Sequence, residues 1–211
     1  MLSGGASAMT APMAASAQVE PVASVDGRVR RGERSREAIV AALFELIGEG
    51  VPRPTAQQVA KRARVNIRTV FRHFSEMESL YAALDSRLRG ELRGLLEGGP
   101  PRAGIEARAT ALVRQHCEVF ERIAPYKRSS NSKRWGSRFL TEAHRELVRE
   151  LRNRLLLWLP ELSHASTEAR NAIELLTSFE AWDRLRSDQR LGRNAARTAI
   201  EHAVIAVLAR G

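Results

Sequence analysis

Between residues 35 and 96 the apolar residues recur at helical rather than alternating spacing. Ile39, Leu43, Leu46 and Ile47 follow an i, i+4, i+7, i+8 stripe, which predicts an amphipathic helix. Ser35 is placed as its N-cap, with Glu37 in a favourable first turn. Gly48 and Gly50 close it, and Pro52 and Pro54 keep the connection non-helical. Thr55 then caps a short helix carrying Val59, Ala60 and Ala63 on one side. Val65 falls in a tight turn, Asn66 caps a second short helix, and Val70 and Phe74 form its apolar stripe. Ser75 and Glu78 read as a capping box opening a further helix that contains Leu80, Tyr81 and Leu84 and runs to about Leu96, before EGGPP.

From about residue 102 every segment also reads as helix, so the fold class is all-α. Leu112, His116, Val119, Phe120 and Ile123 line one helix, which Pro125 is expected to end, followed by a polar, basic stretch, YKRSSNSKRWGSRF. Phe139, Leu140, Leu147, Leu151, Leu155 and Leu156 define a long amphipathic helix stopped by Pro160. Two last helices are placed at about 165–187 and 193–209. Residues 1–27, rich in Ala, Ser, Gly and Pro, are expected to be a disordered tail.

The residues left outside on the second short helix give Thr55–Phe74 its meaning. Ile67, Arg68, Thr69, Arg72 and His73 present donors and cations opposite the buried side, as a helix read into a major groove requires. The spacing predicts a helix-turn-helix. Thr55 can also reach a phosphate. Charge adds to this picture. The chain of 211 residues carries a net +10, and residues 28–74 hold eleven Lys/Arg against four Asp/Glu, which places +7 of it around the motif. Nearly all cations are Arg, a bias that suits nucleic acid and equally fits a compositional habit of the source. Arg28, Arg30, Arg31, Arg34 and Arg36 in GRVRRGERSR read either as a flexible DNA-contacting arm or as a solvated charge run.

Other functions find little in the sequence. The five histidines are scattered, without HExxH, paired-Cys zinc spacing or GxSxG, and no Gly-rich phosphate loop occurs. No enzymatic activity, metal or cofactor is expected. Cys117 is the only cysteine, which excludes an intramolecular disulfide framework and fits a reducing cytoplasm. No apolar run approaches a membrane span, and the N-terminus is a poor signal peptide.

Taken together, residues 32–92 resemble the N-terminal domain of the TetR family of transcriptional regulators. The resemblance rests on REAIVAALFELI, the Thr55–Ala63 helix, RTVFRHF and the following EMESL helix, at matching spacings. It implies a three-helix DNA-binding domain over 28–92 with its motif at 55–74. A larger helical effector-binding and dimerisation domain follows over 93–211. The expected function is a sequence-specific, ligand-responsive repressor binding a palindromic double-stranded DNA operator as a homodimer. The alternative is a helical regulator with a weakened DNA head acting through protein partners. The DNA-contacting set is Thr55, Arg64, Asn66, Ile67, Arg68, Thr69, Phe71, Arg72 and His73. Three positions depart from the family: Arg64 replaces the usual turn Gly, Phe71 the usual Tyr, and Met77 the usual Lys of the fourth helix. The family places a small-molecule effector among the body helices. Candidates are His116, Phe120, Tyr126, Trp135, Phe139, Phe179 and Trp182, which suggest a largely apolar ligand. Ala195, Ala199, Ala203 and Ala206 give the last helix a small-residue edge for close helix packing, where the family forms its dimer interface.

Overall fold

The computed structural model describes the backbone of residues 23–210 and the side chains of 29–210 apart from 91 and 93, so the tail expectation for 1–22 lies outside the described residues. Among the described residues there are helices and no strands. They are α1 (Ala23–Gly48), α2 (Ala56–Arg62), α3 (Ile67–His73), α4 (Met77–Leu96), α5 (Ile105–Asn131), α6 (Arg138–Trp158), α7 (Thr167–Leu176), α8 (Phe179–Asp183) and α9 (Arg193–Leu208). Short 3₁₀ turns precede and follow α6, and the chain after α8 winds as a π-helical turn over Arg184–Asp188.

The chain divides into two units, 1–34 and 35–211. In the first, the residues from Ala23 onward are helical. The helix takes in 23–27 of the expected tail and the arginine-rich segment read as an arm or a charge run. Ser35 is accordingly interior to α1 rather than its N-cap. The segment contains no proline, and Arg and Glu are good helix formers that outweigh Gly27 and Gly32.

In the second unit, two hydrophobic clusters organise the helices. One gathers Ile39, Leu43 and Ile47 of α1, Val59, Val70, Phe74, and Leu80, Tyr81 and Leu84 of α4. Tyr126 of α5 and Leu140 of α6 belong to this same cluster, so the head has no sealed core of its own. The other cluster is built on Leu112, Phe120, Leu155, Trp158, Ile173, Phe179, Trp182, Ile200 and Val204, from α5 through α9. Phe120 meets Phe179 edge-on at 5.8 Å between ring centroids.

Three boundaries differ from the sequence expectations. Pro125 lies inside α5, which continues six residues beyond it to Asn131. Pro removes one helical hydrogen bond, but the residues after it are held from outside: Tyr126 and Lys127 are buried and Ser129 is wholly so. Glu76, not Ser75, occupies the N-cap of α4, without a side-chain cap. Glu78 instead accepts from the Ser137 hydroxyl at 2.5 Å and the Phe139 N–H at 2.9 Å, capping α6. These bonds hold the Glu78 carboxyl below its ordinary range. The helix expected over 165–187 is broken at Thr177, and Ser178 caps α8 by accepting from the Ala181 N–H.

Candidate nucleic-acid interface and effector cavity

The helix-turn-helix is fixed by local polar bonds as much as by its core. The Thr55 hydroxyl accepts from the Gln58 N–H at 3.2 Å while the Gln58 amide oxygen accepts from the Thr55 N–H at 2.8 Å, a complete capping box. Asn66 Oδ1 accepts from the Arg68 N–H at 2.8 Å and starts α3. Arg62 holds the end of α2 against α1 through Glu49, at 2.6 and 2.7 Å, and Glu45 at 3.3 Å. Arg62 is thus engaged within the fold.

The turn keeps the geometry that a glycine would give. Arg64 has φ +56°, the Arg64 N–H bonds the Lys61 carbonyl, and the Val65 N–H bonds the Ala60 carbonyl. The end of α1 closes identically: Gly50 has φ +92° and the Val51 N–H bonds the Leu46 carbonyl. Arg64 therefore occupies a left-handed position at the cost of its Cβ.

On α3, Val70 is buried and Ile67, Arg68, Phe71 and Arg72 are exposed, with Phe71 49% accessible. Thr69 and His73 are half-buried; Thr55, Arg64 and Asn66 are exposed. His73 Nε2 is buried without a hydrogen-bond partner, and burial, with Arg72 and Arg36 nearby, lowers its pKa, so the ring is neutral at pH 7. Met77 packs half-buried against the head core, which accounts for an apolar residue there. In the first unit Arg30, Arg31 and Arg34 are exposed, and Arg28 lies outside the described side chains.

The segment of α5 beyond Pro125 grips this head. Tyr126 stacks on Phe44 of α1 at 4.5 Å, with its hydroxyl close over Gly48, where an added Cβ would sit 3.3 Å away. Ser129 Oγ donates to the Pro52 carbonyl at 2.7 Å and lies 3.0 Å from Tyr81 Oη. Arg53 donates to Ser132 Oγ and O at 3.2 and 3.1 Å, and the Lys133 ammonium lies 4.8 Å from the Tyr81 ring centroid.

Alongside that segment, α4, α5 and α6 enclose a cavity of about 400 Å³. Tyr126, Lys127, Ser130 and His144 reach it, with a largely apolar remainder. A second cavity of about 420 Å³ lies between α6, α7 and α8, and Lys127 and His144 line it too. The Lys127 ammonium donates to His144 Nδ1 at 2.6 Å. Burial pushes Lys127 down to about 8. His144 is lowered as well, by burial and then by Lys127 and Arg134. Neither residue stands out in sequence, because one sits in the polar, basic stretch after Pro125 and the other on a charged helix face.

The aromatic candidates are dispersed. Phe179 lines the second cavity. Phe120 and Trp182 are core residues, and Phe139 packs against the head core. Trp135 is 88% exposed and outside both cavities. His116 is buried, its Nδ1 at 3.2 Å from the Thr177 carbonyl. Among the described residues there is no cluster of three metal-ligating side chains, and no helix is long and apolar enough to cross a membrane.

Residues 39–84 match the family model described as bacterial regulatory proteins, tetR family. No curated protein matches the sequence. The fold is similar to a crystal structure of a transcriptional regulator from Rhodococcus sp. Rha1, with 22% identity, TM-score 0.63, and coverage of 82% of this chain and 95% of that one. It is also similar to a TetR transcriptional regulator from Rhodococcus sp. RHA1, with 20% identity, TM-score 0.51, and coverage of 82% and 96%.

Proposed function

Through its N-terminal domain the chain belongs to the TetR family of DNA-binding transcriptional regulators, and from that premise we propose that it is a ligand-responsive repressor binding a palindromic operator as a homodimer. One observation carries the reading: α3 buries Val70 while Arg68, Phe71 and Arg72 stand exposed. Arg68, next to the N-cap, reads a base edge; Thr69 and Ile67 contribute apolar or hydroxyl contacts beside it. Arg64, Asn66, Thr55 and Arg72 approach phosphates, Phe71 packs against the backbone sugars, and His73 acts as a neutral flanking group. A two-fold dimer doubles the site and sets the half-site spacing. The dimer contact is the outward edge of α9, where Ala195, Ala199 and Ala206 are exposed and small enough for close packing.

Ligand in the α4/α5/α6 cavity acts on the head through its shared elements. The cavity wall includes Tyr126, which stacks on Phe44, and Ser130, next to the Ser129 bond to Pro52. A ligand that repositions α4 or the end of α5 changes the separation of the two heads, which then no longer fit adjacent major grooves. The test is binding to the DNA flanking the protein's own gene, as a function of salt and of Arg68→Ala. Affinity should fall steeply with salt. The substitution should cost about 1–3 kcal/mol and relax preference at one base pair per half-site. Salt-insensitive binding, or an Arg68→Ala protein with unchanged base preference, would reject the assignment.

A further inference from the structure

Lys127 is a buried cation without a counter-ion. It is 9% exposed, and among the described residues its one hydrogen bond goes to His144 Nδ1, a neutral acceptor, with no carboxylate at ion-pairing distance. An ammonium has three donors, so two remain. Burying an unpaired charge is costly, and such groups are found where a ligand supplies the missing partner. The arginines that line the two cavities, Arg89 and Arg152, are already paired. Arg89 is held by Asp85, Glu146 and Glu150, and Arg152 by Glu174. Leu88, Leu92, Ile123, Leu140, Leu147 and Leu151 form much of the apolar part of the cavity lining. Asn131, at the same end as Lys127, has a buried amide oxygen without a partner.

We propose that the effector is an apolar monocarboxylate whose carboxylate pairs with Lys127 Nζ in the α4/α5/α6 cavity while its hydrocarbon body lies along the leucines. The proposal rests on the ligand-responsive reading above and names the chemistry of that site. A single negative charge fits better than a phosphate dianion. Asp85 from α4 and Glu150 from α6 line the same cavity and Glu180 from α8 lines the neighbouring one, while the Lys127 ammonium keeps two donors unused. Asp85 and Glu180 favour the charged ammonium, whereas burial and Arg134 oppose it. A carboxylate in contact reverses that balance and raises the Lys127 pKa.

Decanoate, decan-1-ol and decylamine share one chain length and differ in head charge, so their binding to the full-length protein isolates the head group. At pH 7 decanoate should bind at least tenfold more tightly than either of the others. Lys127→Met, which keeps the unbranched stem, should bring decanoate and decanol within about twofold. The chain has only three lysines, Lys61, Lys127 and Lys133, so their ¹³Cε signals are readily resolved. Saturation with decanoate should raise the Lys127 pKa and leave Lys61 unmoved, a readout that needs no variant. Decanol binding as tightly as decanoate, unchanged decanoate affinity in Lys127→Met, or an unmoved Lys127 titration would each overturn the proposal. Operator release by a neutral compound that leaves Lys127 untouched overturns it while sparing ligand control. Decanoate binding at Lys127 without any change in operator affinity supports the carboxylate site and overturns the ligand-control reading on which its role as effector rests.

Discussion

Ser129→Ala removes one oxygen that joins three elements. The hydroxyl is fully buried and donates its single hydrogen to the Pro52 carbonyl at 2.7 Å, so the Tyr81 hydroxyl must be the donor across their 3.0 Å contact. Alanine therefore strands a carbonyl acceptor on the loop before α2 and a phenol donor on α4 at once. An unsatisfied buried polar group costs about 1–3 kcal/mol, more than the net value of the bond it lost. The expected loss is about 2 kcal/mol, equivalent to a fall of about 4–8 °C in Tm for a chain of this size. Tyr81→Phe alone should cost about 1 kcal/mol, because Ser129 keeps its bond to Pro52. The double variant should be less destabilised than the sum by at least about 0.5 kcal/mol, since removing the phenol relieves a donor already stranded. Urea unfolding measures all three. Far-UV circular dichroism follows the whole chain, while Trp135, Trp158 and Trp182 report only on the body. Amide exchange at Val59 and Val70 follows the head. A loss below about 0.5 kcal/mol, or strict additivity in the cycle, would mean that water replaces these bonds and that Ser129 does not fasten the head to α5.

Two further outcomes follow from single positions. Arg64→Gly relieves the Cβ strain at φ +56° and should stabilise the protein by up to about 1 kcal/mol, read as a higher urea midpoint at unchanged slope; a lower midpoint would show that the Arg64 side chain supports the turn. For His116, burial pushes the pKa from 6.5 to about 4, so the unfolded chain takes up the proton first. Its contribution is complete above pH 6.5 and is lost as pH falls towards 4, about 3 kcal/mol in all. His116→Leu should flatten the stability profile across that window, and a profile unchanged by the substitution would refute it.

The helix-turn-helix was legible because its signals are local. Caps at Thr55 and Asn66, and the spacing of Val59, Val70 and Phe74, depend on neighbours within one or two turns. The Arg64 turn was readable as a departure, but not as a retained left-handed residue, because its backbone follows from the closure made by Val65. The surroundings of the effector candidates were not legible. Aromatic residues are as suited to a core as to a cavity, and only packing separates Phe120 from Phe179 or exposes Trp135.

What the sequence determined by itself is therefore the all-α class, the reading head and the apolar stripes of the long helices, all consequences of helical periodicity and capping. Tertiary structure decided where helices persist against local signals and which polar groups lose water. Pro125 should have ended α5, yet contacts from Phe44, Pro52 and Tyr81 carry the helix to Asn131. Glu78 has the spacing of a cap for its own helix and caps α6 instead. Lys127 belongs to a polar, basic stretch of the sequence, and only the closing of α4, α5 and α6 around it removes its water. Burial depends on residues far away in the chain, and a linear pattern carries no record of them.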